Sequence, residues 1–256
     1  MKIVTWNINS INARLNNVVS WIKDHNPDVV LLQELKCQDD GFPRDAFTDI
    51  GYKVETFGQK SWNGVAILSK HDMTDVMRGL PGDENDEQSR YMEATINGIR
   101  IATIYLPNGN PVDTEKYPYK LAWMDRLRTR AQELLNSEIP VVLGGDYNII
   151  PEGRDCYNPV AWADDALFLL TSRQKFRAIQ NLGYTEAFRA INDNKVAYSF
   201  WDYQAGRWHN DQGIRIDHFL LSPQATDILQ DCQIDKTPRG AEKASDHVPV
   251  ILELAA

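Results

Sequence analysis

Val141-Val142-Leu143-Gly144-Gly145-Asp146-Tyr147-Asn148 is the stretch from which the fold of this chain is most directly read. Its apolar start has the pattern of a short buried strand, and the Gly-Gly pair ends that strand where backbone has to pass close to something else. An acid (Asp146) and a carboxamide (Asn148) follow at once, with a turn at Pro151-Glu152-Gly153 beyond them. Side chains alternate along an extended chain, so residues two apart point the same way. A carboxylate beside an amide at a strand end suits hydrolysis: one handles a proton, the other donates to an oxyanion.

Apolar runs bounded by Gly, Pro, Asn or Asp recur along the chain and predict strands at 2–6, 28–32, 53–57, 65–69, 91–96, 99–105, 141–144, 214–221 and 248–254. Asn97-Gly98 predicts a tight hairpin turn between two of them. Leu15, Val18, Val19 and Ile22 share one face of a helix that ends at Asn26-Pro27. A second helix is predicted over 115–136, with Leu121, Met124, Leu127, Ala131, Leu134 and Leu135 inward. A third is predicted over 173–182, stopping at Gly183. Strands, hairpins and helices in this mixture imply packed α/β layers rather than a pure Rossmann alternation. The segment 155–166 is irregular and rich in Asp and Trp, and long irregular loops in compact enzymes are often functional.

A chain of 256 residues is within reach of one large α/β domain over 1–256 or of two small ones, and 43% apolar with 10% aromatic residues provides a sizeable core and argues against disorder. No apolar run approaches the roughly 18 residues of a membrane span, so no membrane partner is expected. The first strand begins at Lys2 with no leader pattern before it. Cys37, Cys156 and Cys232 are odd in number and widely spaced, which points to a reducing, cytoplasmic setting rather than a disulfide framework. The net charge of −9 argues against nucleic-acid binding through bulk charge. An acidic nuclease instead concentrates its positive charge locally, partly as bound metal.

Polar clusters sit at the expected strand ends. Thr5-Trp6-Asn7-Ile8-Asn9 closes the first strand, Gln33-Glu34 the second with Lys36 just beyond, and Tyr105-Leu106-Pro107-Asn108 a central one. Arg215-Ile216-Asp217-His218 lies in a late strand, and Ser245-Asp246-His247-Val248-Pro249 opens the last. An acid at the end of a buried strand needs a partner or a metal, which singles out Glu34, Asp146, Asp217 and Asp246. Carboxylates and amides are hard oxygen ligands of the kind Mg²⁺ prefers, and the lack of clustered Cys and His argues against structural zinc. His247 is either a local capping residue or a functional imidazole oriented by a carboxylate, for which Asp217 is a candidate.

Taken in order, these motifs resemble the exonuclease III family of apurinic/apyrimidinic endonucleases, within the endonuclease/exonuclease/phosphatase superfamily. The resemblance runs from Met1 to Leu254 and is also carried by Gly64-Val65-Ala66-Ile67-Leu68-Ser69, Arg90-Tyr91 and Tyr198-Ser199-Phe200-Trp201-Asp202-Tyr203. It implies a four-layer α/β sandwich, two mixed β-sheets packed face to face with helices outside. It implies a site where strand-end loops converge, with Asn7, Glu34 and Asp246 around a divalent metal, Mg²⁺ with Mn²⁺ able to substitute. Asp146 would orient or deprotonate the attacking water, Asn148 and Asn108 would hold phosphate oxygens, and His247, oriented by Asp217, would bind the phosphate. Tyr105 would bond near the scissile phosphate, Lys36 and Arg90 would contact phosphates, and Phe200, Trp201, Ile214 and Ile216 would line a pocket for a base-free sugar.

The implied activity is cleavage 5′ to abasic sites, leaving a 3′-hydroxyl, with 3′-5′ exonuclease and 3′-end trimming on double-stranded DNA by a monomer. The group that protonates the leaving oxygen stays open at this stage. A superfamily relative acting on RNA, lipid or inositol phosphates shares the metal and Asp-His parts. The Trp6 start, the Phe200-Trp201-Asp202-Tyr203 run and Arg215-Ile216-Asp217-His218 favour DNA repair. A non-catalytic scaffold would not need Glu34, Asp146 and His247 together.

Overall fold

Val29-Val30-Leu31-Leu32 is apolar at every position because its alternate side chains enter two different cores. Val29 and Leu31 point into the space between two sheets, while Val30 and Leu32 point outward beneath a helix. The computed structural model describes residues 1–255. Its strands are β1 (Lys2–Asn7), β2 (Val29–Gln33), β3 (Lys53–Phe57), β4 (Val65–Ser69), β5 (Thr74–Arg78) and β6 (Tyr91–Ile96), then β7 (Ile99–Tyr105), β8 (Val141–Asp146), β9 (Thr185–Glu186), β10 (Asp217–Leu221), β11 (Leu229–Ile234) and β12 (Val250–Leu254). The helices are α1 (Ile11–His25), α2 (Asp45–Thr48), α3 (Lys116–Leu135), α4 (Leu170–Gln180), α5 (Ala187–Ile191) and α6 (Pro223–Thr226).

Two six-stranded mixed sheets form, in the orders β11-β12-β1-β2-β4-β3 and β5-β6-β7-β8-β10-β9. They bury a shared core in which Ile3, Leu31, Ile67 and Leu252 of the first meet Met92, Ile101, Val142 and Phe219 of the second. Trp6, Val30 and Leu68 pack outward against Val18, Trp21 and Ile22 of α1. On the far side, Ile104 and Leu143 pack against Trp123 and Leu127 of α3 and Phe176 and Ile179 of α4. The result is the expected four-layer sandwich.

The predicted Asn97-Gly98 turn joins β6 to β7 with both residues at positive φ (50° and 78°), the hairpin geometry that matches strand twist. Asn26 ends α1 in the left-handed conformation, its N–H bonded to the Ile22 carbonyl. Three strands absent from the sequence reading, β5, β9 and β11, lie at sheet edges. Edge strands are half-solvated and polar, so they lack the apolar run that marks a central strand. The strand expected over 214–221 begins only at Asp217, because Ile214 instead makes isolated bridges to Cys156 and Phe200. The buried stripe of α3 is Lys120, Trp123, Met124, Leu127, Ala131 and Leu134, whereas Leu121 and Leu135 are half-buried.

Only β1–β2 and β7–β8 are parallel pairs among the described strands. Their C-terminal ends, carrying Asn7, Gln33-Glu34, Tyr105 and Asp146, come together at one edge of the sandwich, where open α/β sheets place their ligands.

Candidate active site

Strand register sets the first row of the site. Asp146 ends β8 with Tyr105 of β7 on one side and Asp217 of β10 on the other. The Gly-Gly pair before it permits a close approach: a Cβ on Gly145 would lie 2.0 Å from the Ile104 carbonyl oxygen, and one on Gly144 2.8 Å from Leu31 in the opposite sheet. The two sheets are thus near enough for one amide to span them. Asn7, fully buried, donates through Nδ2 to Glu34 Oε1 and to Asp146 Oδ2, both at 2.9 Å.

Glu34, Lys36, Asn9 and Asn148 all have left-handed backbone, at φ 54°, 54°, 47° and 47°. Such conformations strain non-glycine residues and concentrate at functional sites, and here they turn each chain sharply as it leaves its strand. Glu34 accepts from the Tyr105 hydroxyl at 2.8 Å as well as from Asn7, and Lys36 Nζ lies 3.0 Å from its other oxygen. Burial alone would raise the Glu34 carboxyl, but the Asn7 hydrogen bond and the Lys36 charge outweigh it and hold the pKa below the usual carboxylate range. Tyr105 is pushed well above 10 by burial and the nearby Glu34 charge, so it stays a donor.

His247 stands opposite. Its Nδ1 is 2.9 Å from Asp217 Oδ2 and its Nε2 3.8 Å from Asp146 Oδ2. Ser199 Oγ donates to the same Asp217 oxygen at 2.6 Å and accepts from the backbone N–H groups of Ile216 and Asp217, which fixes the carboxylate that orients the ring. Burial disfavours the imidazolium, but Asp217 and Asp146 outweigh it and push His247 up to about 10. Burial raises Asp146 to about 7, with the His247 charge opposing and the Asp217 charge reinforcing the rise. The centre therefore pairs a carboxyl poised near neutrality with an imidazole that keeps its charge.

Glu34, Asp146 and His247 offer ligand atoms that all lie within 4.8 Å of one another. A buried and a half-buried carboxylate so placed fit a divalent cation, and the donor set of hard oxygens with one imidazole suits Mg²⁺ or Mn²⁺ better than a thiophilic ion. The Lys36 ammonium already sits against Glu34 as a cation does. Asn7 presents its amide nitrogen to the carboxylates and its oxygen to the Asn9 backbone N–H at 3.1 Å, which aligns the two carboxylates. Asp246 approaches through Asn9, whose Nδ2 donates to Asp246 Oδ1 at 3.0 Å while its oxygen accepts from Lys36.

A pair of amides closes the remaining side. Asn148 donates through Nδ2 to the Leu106 carbonyl (2.9 Å), and Asn108 donates through Nδ2 to Asn148 Oδ1 (3.0 Å), leaving one Asn108 amide hydrogen for a ligand. Beneath them lies a residue the sequence reading missed. Lys120 of α3 is wholly buried, and its ammonium donates to the backbone carbonyls of Asn148 (2.7 Å) and Asn108 (3.0 Å). Burial lowers it to about 7, against the attraction of Asp146 and Asp165. Its signal was present in the sequence: Lys120 continues the buried stripe of Met124, Leu127, Ala131 and Leu134 by one step.

A family profile described as Endonuclease/Exonuclease/phosphatase family matches residues 4–247. Exodeoxyribonuclease III of Haemophilus influenzae is 31% identical over 99% of both chains. The chain belongs to the endonuclease/exonuclease/phosphatase family. It is similar in structure to an AP endonuclease from Archaeoglobus fulgidus (TM-score 0.96, 37% identity) and to a Neisseria 3′ phosphatase, NExo, bound to product DNA hairpin (TM-score 0.98, 37% identity), each covering 100% of both chains. As a member of this family, with exodeoxyribonuclease relatives along its full length, it is a nuclease.

Of the residues expected at the family's site, Asn7, Glu34, Lys36, Tyr105, Asn108, Asp146, Asn148, Asp217, Asp246 and His247 converge as described. Arg90 stacks over the Tyr105 ring at 4.8 Å and lines a cleft of about 580 Å³ that also takes in Glu34, Asn108 and Tyr119. The expected sugar pocket needs correcting. Trp201 is 0% exposed, with its indole N–H on Asp211 and its ring against Trp208 and Tyr198, so it is core and presents no surface to substrate. Ile214 and Ile216 are likewise buried, among Ile150, Leu167 and Phe168. Only Phe200 keeps accessible surface, its ring edge-on to His247 at 4.9 Å. Trp62, also missed, stands 77% exposed on the cleft rim. An aromatic inside the polar stretch Gln59-Lys60-Ser61-Trp62-Asn63 was its only signal.

Proposed function

We propose that this chain is a Mg²⁺-dependent DNA repair nuclease that hydrolyses the phosphodiester 5′ to abasic sites, leaving a 3′-hydroxyl, and trims 3′ ends of double-stranded DNA. The observation that carries this reading is the convergence of Glu34, Asp146 and His247, with Asp217 behind the histidine. Support also comes from relatives named for exodeoxyribonuclease III, AP endonuclease and 3′ phosphatase activity.

In this mechanism Asp146, raised towards neutrality, takes the proton of the attacking water, and Asn7 holds its carboxylate in line. His247, charged and aimed by Asp217, stabilises the negative charge that builds on the phosphate. Asn108 gives its free amide hydrogen to a phosphate oxygen, held in place by Asn148, on the ground that Lys120 fixes from below. Tyr105 donates near the scissile phosphate, and Arg90 meets the flanking backbone. Glu34, with Asp146 and Asp246 nearby, would hold Mg²⁺ or Mn²⁺, which supplies electrostatic stabilisation of the developing charge and of the leaving oxygen. Phe200 beside His247 offers an apolar wall to a base-free sugar, and an abasic nucleotide is cheaper to extrude than a paired one. Trp62 on the rim offers a stacking face for a base. Residues 1–256 act as one domain and as a monomer, and the three unpaired, buried cysteines suit the cytoplasm.

The test is cleavage of end-labelled duplexes with Mg²⁺, one carrying a single abasic analogue and one intact with a recessed 3′ end. Incision at the lesion that disappears with chelator and with Asp146→Asn is expected. Failure to cut either duplex would overturn the DNA assignment.

A further inference from the structure

A second cavity, separate from the Arg90 cleft, adjoins the centre through Asn9. It holds about 350 Å³ between the first turn of α1 and the loop 239–244, and its wall consists of Arg14, Tyr203, Arg239 and Lys243, the rest being alanine. No carboxylate lines it. In a chain of net charge −9, three cations gathered around one hollow without an acid call for a reason.

The guanidinium groups are built in. Arg239, 8% exposed, lies 5.1 Å from the Tyr203 ring and 5.6 Å from the Trp208 ring, and its Nη2 donates to the Trp201 carbonyl at 3.0 Å. Arg14 donates to the Asn9 carbonyl at 2.6 Å and to the Tyr203 hydroxyl at 3.0 Å. The Nε atoms of both arginines are buried with no hydrogen-bond partner. Among the described residues, Arg14, Arg239 and Lys243 form no ion pair within 4.0 Å. Asp246 and Asp202 act on Arg239 through space, but neither forms an ion pair with it. Asp246 accepts from Asn9, Asp202 accepts from the Gln204 N–H, and exposed Glu242 offers Asn17 only its backbone carbonyl. A buried guanidinium without a directly paired acid is unfavourable unless an anion completes it. Two forked guanidiniums and an ammonium match the charge and hydrogen-bonding needs of a nucleic-acid backbone.

We propose that this cavity is a second phosphate subsite, which takes a backbone phosphate of bound DNA away from the scissile bond. It rests on the DNA reading above, and it explains how an acidic protein holds a duplex: positive charge gathers in hollows on either flank of Asn9 and Glu34. The strand enters over Arg90 and Trp62, crosses the centre, and is gripped again at Arg14, Arg239 and Lys243.

The experiment is duplex binding by fluorescence anisotropy in chelator, so that nothing is cut, across a range of salt. Wild type is compared with Lys243→Gln, with Arg14→Gln, and with Lys53→Gln, an exposed lysine on β3 that pairs with Asp72 and removes the same charge elsewhere. The slope of log Kd against log salt is expected to fall by about one for Lys243→Gln and for Arg14→Gln, and to hold for Lys53→Gln. A single neutral methylphosphonate is then walked along the duplex. Wild type should lose affinity at one position remote from the lesion where Lys243→Gln loses nothing further, the non-additivity expected of groups in contact. Equal slopes for Lys243→Gln and Lys53→Gln, or no such position, would overturn the subsite while leaving the nuclease reading intact. Wild type without salt-dependent duplex binding would instead remove both.

Discussion

Replacing Asp217 with Asn keeps the shape beside His247 and removes its charge, which makes it the sharpest probe of the centre. In the structure His247 is buried, its Nδ1 is 2.9 Å from Asp217 Oδ2, and Ser199 holds that oxygen from behind. A hydrogen bond to a charged partner contributes about 1.5–3 kcal/mol, against about 0.5–1.5 for a neutral one. Losing the charge therefore removes roughly 1–2 kcal/mol of preference for imidazolium, or about one pH unit or somewhat more. His247, at about 10 in the wild type, should fall accordingly. Activity that needs the imidazolium is lost as pH rises through this value, so the alkaline limb of the rate profile moves down. Asp217 also helps to raise Asp146, so the acidic limb should move down with it. The same shift acts on stability. A raised histidine contributes stability that is full below its unfolded value, near 6.5, and is lost as pH rises through its folded value, so Asp217→Asn should lose alkaline stability earlier. The assay is incision of an abasic duplex at fixed free metal across the pH range, with kcat and kcat/KM fitted separately. An alkaline limb that coincides with that of wild type, or moves upward, would refute the assignment of the limb to a His247 charge maintained by Asp217.

Lys120→Met should lower kcat about tenfold or more with little change in KM, because two carbonyl anchors of the Asn108–Asn148 pair are lost while the apolar stem is kept; single-turnover kinetics would check it. The same variant should also lack a wild-type rise in stability between pH about 7 and 10.5, where the unfolded chain keeps the lysine proton and the folded chain has released it, as melting curves would show. Glu34→Gln should raise the metal concentration needed for half-maximal incision by about 100-fold, read from Mg²⁺ and Mn²⁺ titrations, since it removes the charged oxygen donor of the cluster. Arg215→Met should destabilise the fold by about 3–5 kcal/mol in urea titrations, because Arg215 pairs with Asp155 and Glu186, each at 2.8 Å, and the variant leaves Asp155 to Arg189 alone and Glu186 to His218 and the Arg189 N–H. An intact melting point in that variant would show the network to be dispensable.

Much of the centre was legible because its residues close strands that are themselves easy to read. Glu34, Tyr105 and Asp146 each follow an apolar run, and a polar residue placed there has little else to do than meet a partner or a ligand. What could not be read was the direction of each contact. Trp201 and Phe200 are neighbours in an aromatic run, yet one is core and the other faces His247, and only the packing of Trp208 and Asp211 around Trp201 separates them. Ile214 looked like strand because its local composition is strand-like, but its bridges to Cys156 and Phe200 pull it out of register with β10. Lys120 was hidden for a different reason. A lysine on a helix is usually solvated, and nothing local says that two loop carbonyls will be waiting for its ammonium.

Periodicity and turn chemistry are local properties, carried by a few adjacent residues, so the chain order alone was enough for the layered α/β class, the strand ends and the acids and amides gathered there. Family resemblance added the four-layer arrangement. The tertiary structure alone decided which of those groups touch, since contacts between Asn7 and Asp146 or between Trp6 and His247 join residues 139 and 241 positions apart. It also decided their protonation. Burial and neighbouring charge set Asp146 near 7 and His247 near 10, and neither quantity exists until the two sheets close over them.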